Sequence, residues 1–94
     1  MCTYQTANVP VSGSGKGASG WFPLTTATVY LDHPVDAPAD HTLNIDFRNP
    51  ERGAARVAVE LDPAAARDVA EAILALLDAA PPGLIDDSAR RARA

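Results

Sequence analysis

Two stretches between Thr25 and Phe47 alternate apolar and polar residues with a period of two. This period, carried by β-branched and aromatic side chains, is typical of half-buried β-strands. Residues 34–40, which are rich in proline and aspartate, separate the two stretches and predict the loop of a hairpin. The apolar positions are Ala27, Val29 and Leu31 in the first strand and Leu43, Ile45 and Phe47 in the second.

The same pattern predicts how these two strands pair. In a hairpin closed at this loop Leu31 lies opposite Leu43, and a shift by one residue would turn an apolar face to water. This register also places His33 opposite His41, and these are the only histidines of the chain. Directly opposed residues have Cβ atoms ~4.5–5.5 Å apart. Two imidazoles at that spacing can bind one metal ion with each nitrogen at ~2.0–2.1 Å.

The segment before this hairpin predicts a weak strand followed by a flexible loop. Residues 2–11 have a weak strand pattern, and Pro10, which has no N–H to donate, belongs at the end of a strand or on an edge. Residues 12–20 are rich in glycine and serine, which is typical of a mobile loop. We expect Trp21 and Phe22, which follow the loop, to close one end of the core.

A fourth strand is predicted after the hairpin. Residues 49–53 contain proline and glycine at positions that favour a tight turn, and residues 56–61 alternate again. Two registers keep the apolar side chains of this strand inward. We favour the register with Asp46 opposite Arg56, because the other one places Arg48 opposite Arg56 and opposes two like charges.

A helix is predicted from Asp62 to about residue 80. Asp62 is a typical N-cap, and Pro63 is favoured at the first helical position. The sequence Pro81-Pro82-Gly83 ends the helix. Apolar residues recur at helical spacing and predict a buried stripe that consists of Ala66, Val69, Ala70, Ile73, Leu76, Leu77 and Ala80.

These elements predict an α+β fold, with a four-stranded, mainly antiparallel sheet and one C-terminal helix packed on one face. Residues 1–83 form a single domain and residues 84–94 a loose C-terminal tail. No element remains to cover the second face of the sheet. We therefore expect a homodimer, a higher assembly or strong curling of the sheet. The residues of that face are Thr28, Tyr30, Asn44, Asp46 and Ala58.

Composition narrows the classes of function. The formal net charge of −4 and the pI of about 4.8 disfavour nucleic acids and anionic membranes as partners. No apolar run approaches the ~18 residues of a membrane span, and no signal-peptide pattern is visible. With a single cysteine, the chain is expected in the cytoplasm.

The candidate chemistry is a metal site with Cys2, His33 and His41 as ligands and zinc as the favoured ion. One alternative is a metal-free pocket in which one histidine acts as a general base oriented by Asp32 or Asp40. Another is a structural role, in which both histidines cap the end of the core.

The glycine-rich segment 12–20 does not fit a P-loop, because Pro10 and Gly17 stand where that motif requires glycine and Ser or Thr. Its backbone amides could bind an anion beside Lys16, or the loop could close over a small-molecule ligand. A plain linker is the simplest alternative. The candidate catalytic residues of the chain are Lys16, Asp32 and Asp46.

Several strings of the sequence, MCTYQT, GSGKG, GWF, TVYLDHPVDAPADHTLNIDF and NPERG, resemble a small actinobacterial family of unknown function. The resemblance covers residues 1–83 and includes the opening Met-Cys-Thr-Tyr, an Asp-His-Pro and a later His-Thr-Leu-Asn. It implies an actinobacterial cytoplasmic protein, with a link to specialised metabolism, and no established activity. It also implies that the segments defining the family are those that contain Cys2, Lys16, Asp32, His33, His41 and Asp46.

Two hypotheses follow for function. The first is a small oligomeric metal-binding protein that catalyses a metal-assisted hydrolysis, hydration or elimination on a small molecule. The second is a non-enzymatic binding module that docks a partner protein on its exposed sheet face.

Overall fold

The structure is a computed structural model that describes residues 5–85. A four-stranded antiparallel sheet is followed by one α-helix, which confirms the predicted α+β class. The strands lie in the sheet in chain order. They are β1 (Thr6–Gly17), β2 (Gly20–Asp32), β3 (Thr42–Arg48) and β4 (Arg56–Leu61), and the helix is α1 (Pro63–Asp78).

The register predicted for the central hairpin is confirmed. Leu31 lies opposite Leu43, Val29 opposite Ile45 and Ala27 opposite Phe47. Of these positions Ala27 is buried, with 5% of its surface exposed, and the others are half-buried. The in-phase apolar side chains of β2 and β3 therefore form one continuous face.

The register favoured for β3 and β4 was wrong. The structure pairs Arg48 with Arg56 and places Asp46 opposite Ala58. This register brings three apolar pairs of the strands into direct opposition, whereas the favoured one leaves Leu61 without an apolar partner. Burial of a large aliphatic side chain contributes ~1.5–3 kcal/mol, which exceeds the ~0.2–1 kcal/mol of a cross-strand pair. The three apolar pairs are Leu43 with Leu61, Ile45 with Val59 and Phe47 with Val57.

The glycine-rich segment is a strand, so the predicted loop over residues 12–20 was also wrong. Residues 6–17 pair with β2 throughout, except for a bulge between Pro10 and Gly13. The second half of β1 lies against β4 as well, because the sheet curls. A Cβ atom on Gly15 would stand 3.1 Å from Val57 Cγ2, and one on Gly17 would stand 3.2 Å from Phe22 Cε1. These glycines leave room for the side chains packed against them, so they serve close packing and not mobility.

Trp21 and Phe22 differ in their surroundings. Phe22 is buried, with 8% of its surface exposed, and closes the core at this end as predicted. Trp21 is 70% exposed, so its predicted place in the core was wrong. Neighbouring residues of a strand point to opposite faces, and the alternation therefore separates the two rings.

The start of helix α1 is confirmed. The Asp62 carboxylate accepts a hydrogen bond from the Ala65 backbone N–H at 2.9 Å, and Pro63 is the first helical residue. The helix ends at Asp78, with Ala79 as its C-cap. Leu84 and Ile85, at the start of the predicted tail, are exposed, and residues 86–94 lie outside the described range.

The predicted burial of the apolar stripe of α1 was wrong. No residue of the helix is buried. Its first half borders an apolar cleft of about 520 Å³ above Val29, Leu31 and the neighbouring side chains of the sheet. Helical periodicity shows which face is apolar but does not supply a surface large enough to cover it. The exposed fractions are 46% for Val69, 54% for Ile73, 75% for Leu76 and 51% for Leu77.

We predict that Arg48→Gln stabilises the protein at low ionic strength, because it removes the opposed charges of Arg48 and Arg56. The gain in the free energy of unfolding should lie at the lower end of ~0.2–1 kcal/mol, since both side chains are exposed. Chemical denaturation with and without added salt measures it, and salt should reduce the gain. Arg67→Gln on the helix is the control. Additive effects of Arg48→Gln and Arg56→Gln in a double-mutant cycle would contradict the prediction.

Candidate functional site

The two histidines lie side by side at the end of the central hairpin. The ladder between β2 and β3 ends at the pair of Asp32 and Thr42, and His33 and His41 are the next residue on each strand. Their ring centroids are 4.5 Å apart, and the ring planes are inclined by 33°. The structure therefore has the juxtaposition of imidazoles that the hairpin register predicts.

Local hydrogen bonds fix the position of His33. Its backbone N–H donates to the Asp32 carboxylate at 2.7 Å, and its ring Nδ1 lies 3.2 Å from the Asp40 carbonyl oxygen. A carbonyl oxygen only accepts hydrogen bonds, so Nδ1 is the atom that carries the proton in this contact. In the neutral ring, Nε2 then keeps its lone pair and is available as a metal ligand.

The Glu60 carboxylate anchors the loop that joins the two histidines. It accepts hydrogen bonds from the backbone N–H groups of Val35 at 2.5 Å, Asp36 at 3.1 Å and Ala37 at 3.1 Å. These bonds, above all those from Val35 and Asp36, lower the pKa of Glu60 from its ordinary value of 4.5. A side chain of β4 thus holds the first half of the loop that connects the two histidines.

Two buried polar residues of β3 lie beside this anchor. Thr42 is fully buried and donates from Oγ1 to Asn44 Oδ1 at 2.6 Å, and Asn44 is 7% exposed. Asn44 lies directly opposite Glu60 in the ladder between β3 and β4. A satisfied buried pair of this kind favours one arrangement of the strand end, so the base of the loop is well defined.

Only some of the other candidate site residues lie near the two histidines. Asp32 is adjacent to them, as described above. Asp46 accepts a hydrogen bond from the Tyr30 hydroxyl at 3.3 Å and lies on the other face of β3. Lys16 lies opposite Trp21 at the far end of the sheet. Cys2 lies outside the described residues.

Within residues 5–85, no group of three or more His, Cys, Asp or Glu side chains is arranged to hold a metal ion. The described part of the candidate metal site is therefore His33 and His41. In the same range, no helix has the length and apolar character to cross a membrane.

Glu60 is the residue of this site that the sequence did not indicate. It occupies a polar position in an alternating strand, where a carboxylate normally faces water. Its role depends on three consecutive loop amides that turn toward it, and no local sequence pattern predicts that arrangement.

We predict that Glu60→Gln loosens the loop, because a neutral amide is a weaker acceptor than a carboxylate. Hydrogen exchange of the Val35, Asp36 and Ala37 amides should become faster, with Glu71→Gln on the helix as the control.

The lowered pKa of Glu60 also predicts a pH dependence. Its stabilising contribution is present above the ordinary value of 4.5 and is lost as the pH falls through the lower folded-state value. Unchanged amide exchange in Glu60→Gln, or the same acid sensitivity in the variant as in the parent protein, would contradict the role assigned to Glu60.

Comparison with known proteins gives a family but no activity. A family model described as a family of unknown function (DUF6295) matches residues 1–86. No curated protein matches the chain, and no solved structure matches it.

Proposed function

We propose that this chain, which belongs to the DUF6295 family of unknown function, is a small oligomeric protein that binds a metal ion, with zinc favoured. The ligands of the proposed site are His33, His41 and Cys2. The observation that carries the proposal is the pair of imidazole rings at 4.5 Å, with His33 Nδ1 bonded to the Asp40 carbonyl.

The hydrogen bond between His33 Nδ1 and the Asp40 carbonyl oxygen supports a metal site in particular. Metal-ligating histidines usually donate their other ring N–H to a carbonyl or carboxylate, which fixes the ring and leaves the second nitrogen for the ion. His33 has this arrangement with Asp40. His41 is half-buried beside it, so an ion between the two rings would be partly shielded from water.

Cys2 is proposed as the third ligand because the chain between Cys2 and Gln5 is long enough to reach the histidines. Gln5 continues the pairing of β1 beyond its first residue, because its carbonyl accepts a hydrogen bond from the Leu31 N–H at 3.4 Å. Cys2 precedes Gln5 by three residues, which span at most ~10 Å. Leu31 is two residues from His33, so the thiolate of Cys2 is within reach of the histidine pair.

Three protein ligands leave one position of a tetrahedral site open. A zinc ion so held would lower the pKa of a bound water or polarise a carbonyl. The reactions proposed for such a site are hydrolysis, hydration or elimination on a small molecule. Asp32 is the described candidate carboxylate beside it, whereas Lys16 and Asp46 lie too far along or across the sheet to share it.

Elemental analysis of the untagged protein tests the metal site. We expect close to stoichiometric zinc and a loss of at least tenfold in affinity in His33→Ala, His41→Ala and Cys2→Ser, because each removes one ligand. A chelator should lower the thermal midpoint of the parent protein. Asp68→Ala, which removes a carboxylate from the helix, is the control. Absence of zinc from the parent protein, or retention of zinc in both histidine variants, would refute the proposal.

A second candidate function, a protein-interaction module, is favoured by the exposed stripe of α1. Leu76 is 75% exposed, and among the described apolar residues Phe22 and Ala27 alone are buried. Residues 86–94 contain no large apolar side chain that could cover the stripe. We propose a second copy of the chain as the partner, since a fold with so little buried apolar surface needs a permanent cover.

We predict that Leu76→Glu shifts the protein from dimer to monomer and that Ala75→Glu, on the polar face of the same helix, does not. The added charge would be buried in the first variant and solvated in the second. Sedimentation equilibrium over a range of concentrations measures the mass. A parent protein that remains monomeric at the highest concentration would exclude the second copy as partner.

A further inference from the structure

A second cleft lies at the opposite end of the sheet from the histidines. It has a volume of about 550 Å³. One wall is the turn between β1 and β2 with Trp21, and the other is the segment between β3 and β4 with Arg52 and Arg56. Trp21 is 70% exposed beside this cleft, so its ring is available for contact.

Positive charge is concentrated here although the protein is acidic overall, with a net charge of −4. Within residues 5–85, Arg48, Arg52 and Arg56 form no ion pair, and Arg48 donates only a long hydrogen bond, 3.5 Å, to the Thr28 hydroxyl. Glu51, in the same turn, forms no ion pair with them among the described residues. Arg48 and Arg56 lie directly opposite each other in the ladder, an arrangement of like charges that is unfavourable unless an anion is present.

Asn49 holds this basic turn in place. It is 5% exposed, and its Oδ1 accepts the Glu51 N–H at 3.0 Å while its Nδ2 donates to the Pro23 carbonyl at 3.1 Å. Gly53, with a φ of +62°, completes the turn. The arginines are therefore carried by a segment that is tied to β2 next to Trp21, and the two walls of the cleft keep their spacing.

We propose that this cleft binds a small molecule in which an oxyanion, carboxylate or phosphate, is attached to a planar aromatic ring. Arg52 and Arg56 hold the oxyanion, since a guanidinium group donates two parallel hydrogen bonds to such an anion. Trp21 stacks on the ring of the ligand. Arg48 adds positive potential, as does Lys16 opposite Trp21. This site is independent of the proposed metal site.

Trp21 is the only tryptophan of the chain, so its fluorescence reports on the cleft directly. The full-length protein is titrated with benzoate and phenyl phosphate, which differ in the oxyanion. Inorganic phosphate, which lacks the ring, and benzamide, which lacks the charge, are the comparison probes. Calorimetry measures the same affinities without relying on Trp21.

We expect at least one aryl oxyanion to bind at least tenfold more tightly than inorganic phosphate and benzamide. Arg52→Gln and Arg56→Gln should each weaken that binding by at least tenfold, and Trp21→Ala should reduce the preference for the aryl probe. Arg67→Gln on the helix is the matched control and should leave the affinity unchanged. Tighter binding of benzoate than of phenyl phosphate assigns the site to carboxylates, and the reverse order of affinities assigns it to phosphates.

The proposal is wrong if neither aryl probe binds at 10 mM or below, which is roughly the weakest useful affinity. It is also wrong if inorganic phosphate binds as tightly as the better aryl probe. Equal loss of affinity in Arg56→Gln and Arg67→Gln would contradict it as well. The circular dichroism of each variant establishes that it is folded. His33→Ala should bind the aryl probe as the parent protein does, which separates this site from the proposed metal site.

Discussion

The antiparallel pairing of β2 with β3 is the constraint on which the rest of the structure depends. It places Leu31 opposite Leu43 and so forms the apolar face over which the helix lies. The same ladder brings His33 and His41 together at its end. It also fixes β3 in position, so that β4 can pair with the other edge of β3. Strand side chains alternate with a period of two. A slip of the β2–β3 register by one residue would therefore disrupt the apolar face and, at the same time, move the two imidazoles apart.

A shortage of large apolar side chains accounts for the open character of the fold. Many apolar residues of the chain are alanines, and the residues that the helix presents to the cleft above the sheet include Ala66, Ala70 and the half-exposed Val69 and Ile73. Polar contacts hold the connecting segments at the two ends of the sheet. Asn49 ties one turn to β2, and Glu60 ties the long loop to β4.

Sequence reasoning recovered those features that depend on local patterns. The hairpin register, the Asp62-Pro63 helix start and the tight turn at residues 49–53 each follow from spacing or residue chemistry, and the structure confirms them. It failed where the outcome depends on distant parts of the chain. Gly15 and Gly17 resemble a loop until β4 is placed against them. The β3–β4 register is determined by three apolar pairs and not by one pair of charged residues. The contact of Glu60 with the loop depends on the orientation of loop amides, which no sequence pattern predicts.

The bulge in β1 has a consequence for how copies of this chain can meet. β1 is an outer strand of the sheet, and its middle contains Pro10 followed by an irregularity before Gly13. An incoming strand would find no continuous row of donors there, because proline has no N–H and the bulge breaks the spacing of the remaining groups. The broken edge therefore disfavours edge-to-edge addition of a further strand on this side of the sheet.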